Sequence, residues 1–276
     1  LIESINIQEL VACIRINTCE SEGYVEALSR TLIRDGDPES LSTILNALCT
    51  VKQMVDRDGF NEFLGKVVGK LEVDKLLESM GSLMKSRLQH GANGLECSIS
   101  ILDTLSEIGL ADKVYRVIDV LLSELIKVEN PDRQYVRLLE YIIDGPFENM
   151  PPLESTFFME RLIEISGDIW LAVKIRIIRE ASIVKNPGFM TEYRYLDALV
   201  NLVDNVLTTL LESKPMEAHK YYSDLNTAYT HIWKNCIVNQ PRNTCIKLLE
   251  ETSRKLIALA KLTQDLASSL RGYQSD

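Results

Sequence analysis

Glycine and proline are scarce in this sequence, at 13 and 8 of 276 residues, about half the combined share of roughly 12% usual in globular chains. That shortage excludes collagen-like and low-complexity chains, and it disfavours turn-rich all-β folds. Aromatic residues are also few, at 7%. No uncharged apolar run approaches the ~20 residues that span a bilayer, so no membrane partner is expected. No amino-terminal stretch reads basic, then apolar, then small, as an export signal would. The chain opens on Leu1 rather than Met, which reads as a fragment or a processed product.

Positive charge is short too. Forty Asp and Glu oppose thirty Lys and Arg, a formal charge of −10. The first 138 residues hold 22 acids and 15 bases and the remainder 18 and 15. Duplex binding needs a local excess of Lys and Arg to displace condensed counterions, so nucleic acid is disfavoured as a partner. The six cysteines, Cys13, Cys19, Cys49, Cys97, Cys236 and Cys245, form no C-x-x-C pair and have no His at zinc-ligand spacing. Most fall inside apolar stripes, where a thiol acts as a small hydrophobe. They are expected to be reduced core thiols of an intracellular, cytoplasmic protein.

What is present is an ordinary apolar share, 46%, arranged at three- and four-residue spacing almost throughout. This is the signature of amphipathic helices, and no run alternates at period two. Breakers punctuate the pattern. Asp35-Gly36-Asp37-Pro38 supplies a stop, an N-cap at Asp37 and a proline at the first helical position. Asp58-Gly59 is expected to end the helix that follows. Gly91-Ala92-Asn93-Gly94 breaks the chain again, Gly109 is expected to take the left-handed conformation that caps a helix, and Asn130-Pro131 closes another helix. The densest cluster, Gly145-Pro146 through Pro151-Pro152, predicts a break between subdomains at 145–152 within a single helical domain, 1–276. Asn186-Pro187-Gly188, Lys214-Pro215 and Gln240-Pro241 divide the rest.

About thirteen helices with short connections follow from this pattern. Short connections make sequential helices antiparallel neighbours. A closed bundle of that many would need helices apolar all round, whereas most here show one apolar stripe, which suits stacked helix pairs. Comparable helices open at Pro38, Leu95 and Leu153, 57 and 58 residues apart. The pattern resembles a divergent HEAT- or armadillo-like α-solenoid across the whole chain, without a family sequence motif. The resemblance implies a helical-repeat scaffold whose surface binds another protein or peptide.

No catalytic constellation is visible. Gly59, Gly65 and Gly69 lie in a helical pattern without the Lys-Ser/Thr of a phosphate loop. His219 and His231 are twelve apart, about 120° from one another on a helix, and no H-E-x-x-H occurs. No enzyme activity, cofactor or metal is expected. Two features stand out. The helix expected at about 168–185 carries Lys174, Arg176, Arg179 and Lys185 with few acids, and reads either as a patch for an acidic peptide, phosphate or nucleic acid, or as lysine and arginine stems packed along the surface. Phe189, Tyr193, Tyr195, Tyr221, Tyr222, Tyr229 and Trp233 gather seven of eighteen aromatics into 45 residues. Tyr222, Tyr229 and Trp233 share one helix face, which serves either as core or as interface. Lys174, Arg176, Arg179, Tyr193, Tyr222, Tyr229 and Trp233 are therefore the candidate partner-binding residues. Leu249, Leu256, Thr263 and Leu270 recur every seven residues, with Ile246 and Leu259 among those between them. This coiled-coil-like seam is expected to cap the stack or to pair with a second copy as a homodimer.

Overall fold

In the computed structural model the chain is 89% helical, with thirteen helices and no strand. The structure describes residues 7–15, 22–34, 38–72, 74–75, 77–79, 81, 99, 102–127, 133–165 and 167–272. Asp37, His90, the glycine cluster at 91–94, Leu95 and Asn130-Pro131 lie outside these. The chain divides into two compact units, Leu1–Ile142 and Ile143–Asp276. The division falls at the start of the proline-rich cluster.

The first unit holds α1 (Ile7–Arg15), α2 (Glu22–Arg34), α3 (Pro38–Met54) and α4 (Arg57–Val68). After them come α5 and α6, described over 77–79 and 102–107, then α7 (Ala111–Leu125) and α8 (Arg133–Ile142). Alternate helices pack together here, α1 on α3 and α2 on α4. Asp58-Gly59 does not end α3, as expected, but lies in the first turn of α4. Asp56 accepts a hydrogen bond from the Gly59 amide at 2.7 Å, and so starts the new helix one turn earlier than the glycine suggests. Arg57 and Asn61 then reach Glu107, each at 2.8 Å, tying α4 to α6.

Gly109 is left-handed as expected, at φ +86°. The Leu110 amide reaches back to the Leu105 carbonyl at 3.1 Å, closing the end of α6 as a Schellman motif does. Space around a Cβ here is open, so strain alone should decide the outcome of Gly109→Ala. We expect a loss of about 1 kcal/mol in a urea titration.

The second unit opens on a π-helical turn (Ile143–Phe147) and continues into α9 (Pro152–Glu164), whose first residue is a proline. The helix expected at 168–185 is three pieces: a 3₁₀ turn (Asp168–Trp170), α10 (Leu171–Arg179) and a second π turn (Glu180–Val184). A 3₁₀ turn (Pro187–Thr191) leads into α11 (Tyr193–Glu212), another (Pro215–Glu217) into α12 (Ala218–Asn239), and the last helix is α13 (Arg242–Gly272). Alternate packing recurs: α9 lies on α11, α11 on α13, and α10 on α12. The hub is α11, in which Leu196, Leu199, Leu202, Val203, Val206, Leu207 and Leu210 have no exposed surface. Lys255 of α13 donates to Asp204 at 2.7 Å and to Thr208 at 2.9 Å, both on α11.

The cysteine expectation is corrected. Cys236 and Cys245 form a disulfide between α12 and α13, with Cα atoms 5.8 Å apart. Cys13 and Cys49 are also disulfide-bonded, and none of the described cysteines is free. A half-cystine buried between two helices occupies the same stripe position as a buried thiol, so helical spacing could not separate the two states.

Candidate functional site

The four cations of the α10 segment do not form one exposed patch. Lys174 is buried, and its ammonium donates to the Ile165 carbonyl at the end of α9 and to Asn205 Oδ1 on α11, both at 2.8 Å. It closes a helix end rather than facing a partner. Lys185 is buried as well. It donates to the Met150 carbonyl at 2.8 Å and to Ser155 Oγ at 2.9 Å, and lies 4.2 Å from the Phe147 ring centroid and 5.2 Å from that of Phe189. Burial away from water pulls both ammonium groups down to about 8; at Lys185 the Glu148 carboxylate partly opposes that shift. Arg176 is half-buried and paired with Asp144. Arg179 is exposed. Two of the four expected partner-facing cations are thus internal ties.

The aromatic cluster separates by depth. Tyr195 is buried and donates its hydroxyl to the Ala181 carbonyl at 3.0 Å, and burial raises its pKa. Tyr221 is buried on α12 and Phe189 meets the Tyr195 ring edge-on at 5.7 Å. Tyr193 is exposed at the start of α11, apart from the α12 face. Tyr222 and Tyr229 are half-buried and Trp233 is exposed.

Trp233 and Tyr229 line one wall of a groove of about 410 Å³ between α12 and α13. Ile246, Leu249 and Ser253 line the other, with Glu250 and Arg254 beside them. The reason is geometric. On α12 the residues Ala218, Tyr221, Leu225, Ala228, Ile232 and Cys236 face inward, and Tyr222, Tyr229 and Trp233 stand roughly 60–100° to one side. On α13 the buried set is Cys245, Leu249, Thr252, Leu256 and Leu259, so Ile246, Ser253 and Ile257 fall on its flank. Trp233 is 36% exposed, Ile246 43% and Ile257 68%. Arg254 is held by Glu250 and Glu251, which leaves the floor apolar and the rim ionic.

Tyr229 and Trp233 were legible from their spacing; Ile246, Ser253 and Arg254 were not. Ile246 reads as part of the heptad seam, but Cys245 takes the buried place beside it. The seam itself faces inward: Leu249, Leu256 and Leu259 are buried in α13's packing on α11 and α12, Thr263 is half-buried, and the Leu270 side chain is outside the description. A smaller hollow of about 240 Å³ lies in the first unit, beside Asp56, Asp58 and Glu62. Its acids are engaged, Asp56 in the α4 cap and Glu62 with Lys66 at 2.9 Å. Among the described residues no three His, Cys, Asp or Glu side chains gather as a metal site. Among the described helices none is long and apolar enough to cross a membrane.

No family model matches the chain, and no curated protein does. Among solved structures it is similar to one described as a circular tandem repeat protein with novel repeat topology and enhanced subunit contact surfaces. The likeness is 14% identity over 96% of this chain and 71% of that one, with a TM-score of 0.27, too low to carry an argument about either fold or function.

Proposed function

We propose that this chain is a non-enzymatic interaction module that holds another protein or peptide in the α12–α13 groove. The observation that carries the reading is Trp233, a large aromatic over an apolar hollow, with Tyr229 beside it and an ionic rim around it. Buried aromatic anchors surrounded by polar rims are where binding energy concentrates. A groove between two helices suits an extended or helical segment that offers apolar side chains at helical spacing. We further propose a HEAT- or armadillo-like stacking of helix pairs within each unit. The packing of alternate helices, α9 on α11 on α13 and α10 on α12, supports it.

The acidic-partner and nucleic-acid readings of the α10 stripe lose their ground with Lys174 and Lys185 inside the protein. A second copy bound through the heptad seam loses its ground with the seam turned inward. The disulfides remove the reason for expecting a cytoplasmic location.

The test compares the wild-type chain with Trp233→Ala/Ile246→Ala as baits in a native extract under non-reducing conditions. Both side chains are substantially exposed, so the urea midpoint should move by less than about 1 kcal/mol equivalent. A protein captured by the wild type should be lost or weakened at least tenfold in the variant. Equal capture of the same proteins by both baits would reject the groove as the binding surface.

A further inference from the structure

The closed end of the groove has almost no core of its own. Between Ile232 on α12 and Leu249 on α13, the only buried side chains are Cys236 and Cys245. Ile237, Val238 and Ile246 are exposed there, at 48%, 80% and 43%. The backbone ties at this end are local: the Gln240 amide to the Cys236 carbonyl at 2.8 Å, and the Cys245 amide to the Pro241 carbonyl at 3.1 Å. One side-chain bond reaches elsewhere, from Gln240 Nε2 to the Thr191 carbonyl at 2.8 Å, in contact with water. Exposed hydrogen bonds add little net hold. The covalent link is therefore what keeps the last turn of α12 against the first turn of α13.

Both walls of the groove hang on that link. Trp233 lies one turn before Cys236, Ile246 follows Cys245, and Leu249 lies one turn beyond it. We infer that the groove's closed end is shaped by the Cys236–Cys245 disulfide, and that the binding-competent form is the oxidised chain of a disulfide-permissive compartment, where it meets an extracytosolic protein or peptide. The partner half of this statement rests on the groove being the binding surface; the structural half does not. Cys13 and Cys49 are disulfide-bonded too, so oxidation is not confined to one pair.

The bond forms by thiol–disulfide exchange with a disulfide-bearing oxidant. One cysteine thiolate attacks the oxidant's sulfur to give a mixed disulfide. The second thiolate then displaces the oxidant's sulfur. The pair loses two electrons and two protons, and the oxidant leaves as its reduced dithiol. Afterwards both cysteines have no exposed surface, so a soluble thiol has no line of attack without local opening. This makes the link a lasting staple rather than a labile contact, and a groove held open before binding loses less ordering entropy when filled.

Hydrogen exchange on the full chain, with no partner present, tests the structural half. Two variants are compared with the oxidised wild type: Cys236→Ser/Cys245→Ser, and Cys236→Ala/Cys245→Val, which keeps apolar groups in the same place. Amides over 233–249 should exchange at least tenfold faster in both variants, while those of α11 over 195–210 keep their protection. Unchanged protection over 233–249 in either variant would overturn the inference. Loss of α11 protection in both would also overturn it, because the bond would then hold the whole unit rather than one end. Wild type folded in a reducing compartment, with free thiols and the same slow exchange over 233–249, would sink the compartment claim. Failure of the capture experiment alone would reject the partner and leave the exchange result standing.

Discussion

Replacing Phe147 by Ala should cost the second unit about 3–5 kcal/mol, the usual range for truncating a fully buried phenylalanine. Phe147 has no exposed surface and meets the Phe158 ring at 5.1 Å between centroids, tilted by 37°. It also forms one face of the enclosure around the Lys185 ammonium, 4.2 Å away. Truncation opens a cavity and takes a π surface from a buried cation. The effect should therefore exceed that of Phe147→Leu, which keeps most of the volume and loses only the ring, at about 1–2 kcal/mol. Urea titration of the two variants beside the wild type measures both. A shift below about 1 kcal/mol for the alanine variant would mean that the site collapses freely, and the enclosure around Lys185 would not be a structural joint.

Stability should rise when the pH is raised from 7 to 9.5, opposite to what loss of surface ion pairs would give. Lys174 and Lys185 lie at about 8 in the folded chain against an ordinary 10.5, lowered chiefly by burial. Between those values the unfolded chain binds more protons than the folded one, so unfolding becomes less favourable as pH rises. Each lysine carries a penalty of roughly 3 kcal/mol below pH 8, of which about 2 kcal/mol is relieved by pH 9.5. Lys52 is lowered by burial in the same direction. Above pH 10 the trend reverses. Burial raises Tyr141 and Tyr195 above their ordinary 10.0, and a group raised in the folded state withdraws stability once the unfolded one ionises. Urea midpoints at pH 7, 8, 9 and 9.5 should climb for the wild type, and Lys174→Met and Lys185→Met should each flatten the climb. A level wild-type profile would show both ammonium groups to be well solvated.

Local chemistry made most of the helix boundaries readable. Gly109 sits where only a residue tolerant of positive φ fits cheaply, and Pro152 opens α9 because its missing N–H is not needed there. The heptad of α13 announces its inward face through Leu249 and Leu256. Unreadable features depend on what meets what across helices. Lys174 and Lys185 look like surface cations in sequence, because only the fold shows the Ile165 and Met150 carbonyls awaiting them. Cys236 looks like any small apolar residue until Cys245 lies beside it. Trp233 and Tyr229 share a face by spacing, but the second wall of their groove comes from Ile246 and Ser253 on another helix. The π turns were hidden too, since their residues follow an ordinary apolar pattern.

Those π turns give the second unit a spare residue in two places. The Lys185 amide bonds to the Glu180 carbonyl five positions back, at 2.9 Å, where an ordinary turn would reach four. Deleting one residue from Glu180–Val184 would let the helix relax into regular winding while swinging all that follows by about 100°. Lys185 would then leave its aromatic enclosure, and the entry into α11 would turn with it. Length variation at this bulge therefore trades a smoother helix for the joint between α9 and α10, so a lineage keeping the buried ammonium should also keep the extra residue.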